Sequence, residues 1–79
     1  MNHLYSKRQE KLCALLKECR LKAGLTQQEL AARLKRSDNF ISYVERGERT
    51  LGVLEFIEYA EALGVDPRTL FGKLTRPMG

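Results

Sequence analysis

Between Ser37 and Arg46 the segment SDNFISYVER presents carboxylate, amide, hydroxyl, phenol and guanidinium groups in close succession. At about 100° per residue, with Ile41 taken as the inward direction, Val44 and Glu45 fall within about 60° of it. Asn39, Ser42, Tyr43 and Arg46 gather on the opposite side, Asp38 leads from the N-terminal end, and Phe40 lies on a flank. Such a face has the groups that read base edges. Amides pair with adenine, carboxylates accept from the cytosine amino group, and Arg reads guanine or grips phosphate. A polar outer face is also what any surface helix shows, so this pattern by itself leaves both possibilities open.

Glu45 points inward, where a carboxylate needs a partner. Arg20, near the end of an earlier helical pattern, is the candidate. Lys35, Arg36, Arg46 and Arg49 bracket the segment at its two ends, as clamps on a phosphate backbone would; solvated surface cations would look the same. Arg33 equally suits the exterior of the preceding helix.

The elements that must hold these groups read as five short helices around one core. Ser6 and Gln9 have capping-box spacing, and Leu12, Leu15, Leu16, Cys19 and Ala23 recur at helical intervals, predicting a helix over about 7–22 that closes near Gly24. Thr26 with Glu29 is a second capping box, opening a helix whose inward face is Leu30, Ala31 and Leu34. Lys35-Arg36-Ser37 breaks it. Ser37 is then the expected N-cap of a third helix, Asp38 to Arg46, ended by Gly47. Val53, Phe56, Ile57, Ala60 and Leu63 define a fourth helix stopped by Gly64. Asp66-Pro67, a cap and a first-turn proline, opens a fifth carrying Leu70 and Phe71. No strand pattern, internal repeat or low-complexity run is present.

A chain of 79 residues holds one domain with a modest core. The expected core spans about 7–72, with residues 1–5 and 74–79 flexible. Apolar residues at 43% and charged residues at 30% argue for a folded chain and against disorder. Fourteen basic against ten acidic residues leave a net charge of +4, a mild bias toward a polyanionic partner. No apolar run approaches the roughly 18 residues that cross a bilayer, and MNHLYSKRQEK lacks the core of a signal peptide, so a cytoplasmic, nucleoid-associated protein is expected. Cys13 and Cys19 are separated by about 9 Å of helical rise, too far for a disulfide. With only His3 besides, no zinc set forms and no metal is expected. No nucleophile–base set, paired carboxylates or cofactor loop is present, so neither an enzyme nor a cofactor is expected.

The blocks AGLTQQELAARL, ISYVERGER and EALGVDPRTLF, in this order and spacing, resemble the Cro/repressor-type (XRE) helix-turn-helix regulators, which include phage repressors and restriction–modification controllers. The likeness runs from about Leu12 to Phe71. It implies an all-α, five-helix, lambda-repressor-like domain whose second and third helices form the helix-turn-helix, binding operator DNA as a twofold dimer. By the same resemblance, Asp38, Asn39 and Tyr43 touch base edges with Ser37 beside them; Ser42, on the same face of the wheel, completes the expected base-reading set. Gln27 contacts phosphate and buttresses the reading helix, Arg46 contacts phosphate, and Arg20 with Glu45 forms a buried structural ion pair. Relatives often carry glycine where Lys35 stands. Either Lys35 keeps a left-handed conformation at about 1–2 kcal/mol, or the turn differs. Leu51-Gly52 replaces a frequent proline-serine, removing the best cap of the fourth helix. Asp38 replaces a residue that is frequently neutral or basic; it suits a helix N-terminus but repels phosphate, restricting base choice toward cytosine.

Two reading helices on a twofold axis would address half-sites roughly 34 Å apart. Leu51, Leu54, Pro67 and Leu74 supply apolar surface for such pairing, with Leu21 a further exposed candidate. The leading expectation is a transcriptional repressor or controller without ligand domain. The alternatives are an antitoxin that binds a toxin and its own operator, and a protein-interaction module that does not use DNA.

Overall fold

The computed structural model describes the backbone of residues 3–77 and the side chains of residues 7–77. Five helices follow one another: α1 (His3–Lys22), α2 (Gln27–Arg33), α3 (Asn39–Glu45), α4 (Val53–Leu63) and α5 (Pro67–Thr75), with no strand among the described residues. The all-helical expectation holds, and several boundaries move. α1 starts at His3, so Ser6 lies within the helix and does not cap it. No glycine or proline interrupts that segment to stop it earlier. The Ser6 side chain and the expected flexibility of residues 1–2 and 78–79 lie outside the described residues. α5 runs on to Thr75.

The capping chemistry explains where α2 and α5 begin. Thr26 accepts from the Glu29 N–H at 3.0 Å while the Glu29 carboxylate accepts from the Thr26 N–H at 2.8 Å, the reciprocal box read from the sequence. Asp66 accepts from the Arg68 N–H at 2.8 Å, with Pro67 at the first helical position. α3 differs from expectation. It begins at Asn39, and Asp38 precedes it in helical geometry (φ −56°, ψ −29°) with no side-chain cap. An extended backbone is what lets a side chain turn back to cap, and Asp38 lacks it. Ser37 contributes its carbonyl, which accepts from the Phe40 N–H at 3.0 Å.

α2 closes with a paired set of backbone bonds: Arg36 N–H donates to the Ala31 carbonyl (2.9 Å) and Lys35 N–H to that of Ala32 (3.1 Å). This closure needs a left-handed residue, and Lys35 supplies it at φ 56°. α1, α3 and α4 end in the same way on glycines.

Each helix sends one face into a single core: Leu16 from α1, Leu30 and Ala31 from α2, Phe40, Ile41 and Val44 from α3, Tyr59, Ala60 and Leu63 from α4, and Leu70 from α5. Phe40, placed on a flank by the helical wheel, is buried because Tyr59 meets it from α4 (ring centroids 6.3 Å apart) and two arginines cover it from outside. Val53, expected in the core, is 77% exposed; Leu51, just ahead of the helix, packs against the core instead. Phe71 is also exposed, resting edge-on against Phe56 at 6.1 Å. Tyr59 is fully buried, and its hydroxyl has no hydrogen-bond partner among the described residues.

Candidate nucleic-acid interface

α3 has seven residues, too few to be stable as an isolated helix, so its orientation comes from what grips its inner face. Ile41 and Val44 fill the core. Glu45, with a side chain 5% exposed, is the polar anchor. Arg20 donates to it through Nε (2.6 Å to Oε2) and Nη2 (3.1 Å to Oε1), and spends its Nη1 proton on the Leu25 carbonyl at 2.9 Å. This fork-to-carboxylate geometry holds the Arg20 proton more tightly than usual, chiefly through the hydrogen bond to Glu45. Gln27 Nε2 donates to the same Glu45 oxygen at 3.0 Å. The carboxylate therefore ties α3 to α1 and to the head of α2. The Cys13 thiol donates at 3.2 Å to the Val44 carbonyl, which also accepts from the Gly47 N–H at 3.0 Å, so α1 holds the last turn of α3 through its backbone as well; burial raises the Cys13 pKa. Cys13 and Cys19 are both free thiols.

The outer side of α3 is the surface anticipated from the wheel. Ser37, Asp38, Asn39, Tyr43 and Arg46 are exposed, and Ser42 is half-buried. The Arg46 guanidinium lies 5.2 Å from the centre of the Tyr43 ring and 3.3 Å from the Glu48 carboxylate. Asp38, engaged in no cap, keeps its carboxylate beside the head of the helix.

The five residues expected at phosphate separate into different situations. Lys35 and Arg46 are exposed at opposite ends of α3. Gln27 is half-buried with its amide on Glu45, which is the buttressing position. Arg36 and Arg49 converge on a residue not singled out in the sequence, Glu55 of α4. Arg36 Nη2 approaches Glu55 Oε2 at 2.7 Å, and Arg49 reaches both carboxylate oxygens, Nη2 to Oε2 at 2.6 Å and Nη1 to Oε1 at 3.2 Å. The guanidinium carbons stand 4.6 Å (Arg36) and 5.4 Å (Arg49) from the Phe40 ring centroid. Glu55 Oε1 also accepts from the Gly52 N–H at 3.0 Å, so α4 starts without the missing serine. That backbone bond and Arg49 together hold the Glu55 pKa down to about 2. Its position three residues beyond Gly52 is the capping-box spacing; the two arginine partners have no local signature. Arg33 donates to the Ala62 carbonyl of α4 at 2.9 Å.

The apolar candidates for pairing also divide. Leu54 is 75% exposed, Leu51, Pro67 and Leu74 are half-buried, and Leu21 is exposed on α1. Val53 and Phe71, with Phe56, Ile57 and Pro67, line a shallow apolar groove between α4 and α5.

A helix-turn-helix family model matches residues 16–70, which take in all five helices at least in part. A curated relative, the uncharacterized HTH-type transcriptional regulator y4dJ of Sinorhizobium fredii, is 46% identical over 46 residues; the match spans 58% of this chain and 60% of that protein's length. Among solved structures, an XRE-family like protein from Pseudomonas syringae superposes with a TM-score of 0.87 at 43% identity, over 94% of this chain and 93% of the other. The restriction–modification controller protein C.AhdI from Aeromonas hydrophila gives 0.78 at 31% identity, over 89% of this chain and 100% of its own.

Proposed function

The chain belongs to the XRE-type helix-turn-helix family of DNA-binding transcriptional regulators, which are not enzymes, and we propose that it reads a palindromic operator through the major groove as a dimer. Supporting this above all is the two-sidedness of α3. Its inner face is fixed by Ile41, Val44 and the Glu45 anchor, while the Asp38 carboxylate, the Asn39 amide and the Tyr43 hydroxyl are exposed on the other side with no hydrogen bond among the described residues. A rigid helix with unengaged polar groups suits base discrimination, because each group arrives already oriented.

In this reading Ser37, Asp38, Asn39, Ser42 and Tyr43 meet base edges. Gln27, Lys35, Arg36, Arg46 and Arg49 bring the protein to the backbone. Phosphate contacts supply most of the affinity and base contacts the discrimination. Occupancy of the operator is the regulatory output, as a repressor or controller. No observation favours a toxin partner or a DNA-independent interaction module over this.

Selection of bound fragments from a random duplex pool tests the proposal directly. A recovered consensus with inverted half-sites roughly 34 Å apart is expected. Fragments sharing no sequence, retained only at low salt, would remove operator reading.

A further inference from the structure

The cluster of Arg36, Arg49, Phe40 and Glu55 joins the two ends of the reading helix to α4. Arg36 lies just before α3 and Arg49 just after it, yet both guanidinium groups are drawn over one ring, Phe40, by one carboxylate. Their side chains remain 39% and 41% exposed, whereas Glu55 is 21% exposed. The donors are unequally spent. Arg49 places Nη1 and Nη2 on Glu55, and Nη1 also donates to the Thr50 carbonyl. Arg36 gives Glu55 only Nη2, leaving Nη1 and Nε unengaged there.

We propose that Glu55 is a positioning residue of the DNA face, acting through Arg36 and Arg49 to fix where phosphate is met and to hold back half of their combined charge. Two guanidinium groups and one carboxylate carry a net single positive charge. A flexible arginine pair would grip any phosphate within reach. A pair stacked on Phe40 and tethered at one edge meets phosphate only when the duplex is seated in one register, with Arg36 offering the open edge. Glu55 thereby limits attraction to random DNA and raises the ratio of selected to random binding.

This inference rests on the operator reading proposed above. Its test uses the full chain, the selected duplex and a random duplex of equal length, with affinity measured across salt. Glu55→Gln is the informative variant, because its amide oxygen still accepts from Gly52 N–H and α4 keeps its start. The expected result is a salt slope steeper by about 0.9, since the freed guanidinium neutralises one more phosphate and that phosphate gives up its condensed counterion. Between 50 and 200 mM salt that slope corresponds to a roughly 3.5-fold greater loss of affinity. The selected-to-random ratio falls at the same time. In an Arg36→Gln/Arg49→Gln background, Glu55→Gln leaves the slope unchanged. If Glu55→Gln melts below the assay temperature, Arg36→Lys takes its place: a lysine keeps the charge but loses the planar stack, so the ratio falls with the slope preserved. An unchanged slope and ratio in Glu55→Gln, or an unchanged ratio in Arg36→Lys, overturns the inference while wild-type selectivity keeps operator reading intact. A wild-type chain that prefers no sequence removes both.

Discussion

Lys35 is held at φ 56° in the turn that closes α2, a conformation that disfavours any residue with a Cβ by about 1–2 kcal/mol. Its side chain is exposed beside the head of α3, so strain and charge occupy one position and can be separated by substitution. Lys35→Gly relieves the left-handed strain but adds unfolded-state freedom of about 0.5–1 kcal/mol, leaving a net gain of up to about 1.5 kcal/mol. For a domain of this size, that raises Tm by up to roughly 6–12 °C. The same variant is expected to bind DNA more weakly on every sequence. Lys35→Gln should lose DNA affinity without the thermal gain. A glycine variant less stable than wild type by about 0.5–1 kcal/mol would show the turn to be unstrained. Across the proposed reading face, Arg46→Ala should weaken binding to all sequences. Asn39→Ala should relax preference at one base position by roughly 1–3 kcal/mol. Parallel losses on every duplex for both variants would contradict the separate roles.

At the scale of the element, α3 is a short helix whose position depends on the Glu45 anchor. Arg20→Ala would leave Glu45 buried with only the Gln27 amide, and loss of one partner from such a pair costs roughly 3–5 kcal/mol. Arg20→Met combined with Glu45→Leu should recover most of that stability, because an apolar pair of similar volume removes the stranded charge. The double variant should nevertheless discriminate operator sequences less well, since Gln27 no longer ties α2 to α3. A thermal denaturation series run beside binding titrations separates these effects; full selectivity in the double variant would remove the anchor's role in DNA reading. The Arg20–Glu45 pair was legible because an inward carboxylate on a helical wheel demands a cation. The capping boxes and glycine stops were legible because they depend on residues three or four apart. The Glu55 cluster was not, because it joins segments before and after α3 to a third helix, and local spacing carries no record of that convergence. Tyr59 was missed because a phenol is expected to keep its hydroxyl satisfied, and here the hydroxyl is buried without a partner among the described residues. Val53 shares the wheel position of Ala60 but lies at the outer end of α4, where Leu51 covers the core in its place.

For the whole molecule, a net charge of +4 provides attraction to DNA but no address, and one α3 spans too few base pairs to supply one. The chain extends 34 × 24 × 21 Å, so two copies whose reading helices sit roughly 34 Å apart are close enough to touch. Leu54 at 75% exposure and Val53 at 77% open α4 with adjacent apolar side chains, and the groove along Val53, Pro67 and Phe71 extends that surface toward α5. Exposed leucines occur singly on many surfaces, so pairing has to be tested against an exposed leucine elsewhere. Leu21, 59% exposed on α1, serves as that reference. Leu54→Lys is expected to leave Tm near that of wild type, because the side chain contributes little to the core, and to hold the chain as a monomer in sedimentation. Binding to an isolated half-site should persist, while affinity for the full palindrome falls on the order of 10²-fold as the second contact ceases to be intramolecular. Leu21→Lys should change neither assembly nor operator affinity. If Leu54→Lys still bound the full site as tightly as wild type, pairing would have to run through another face, and the α4–α5 surface would lose its assignment.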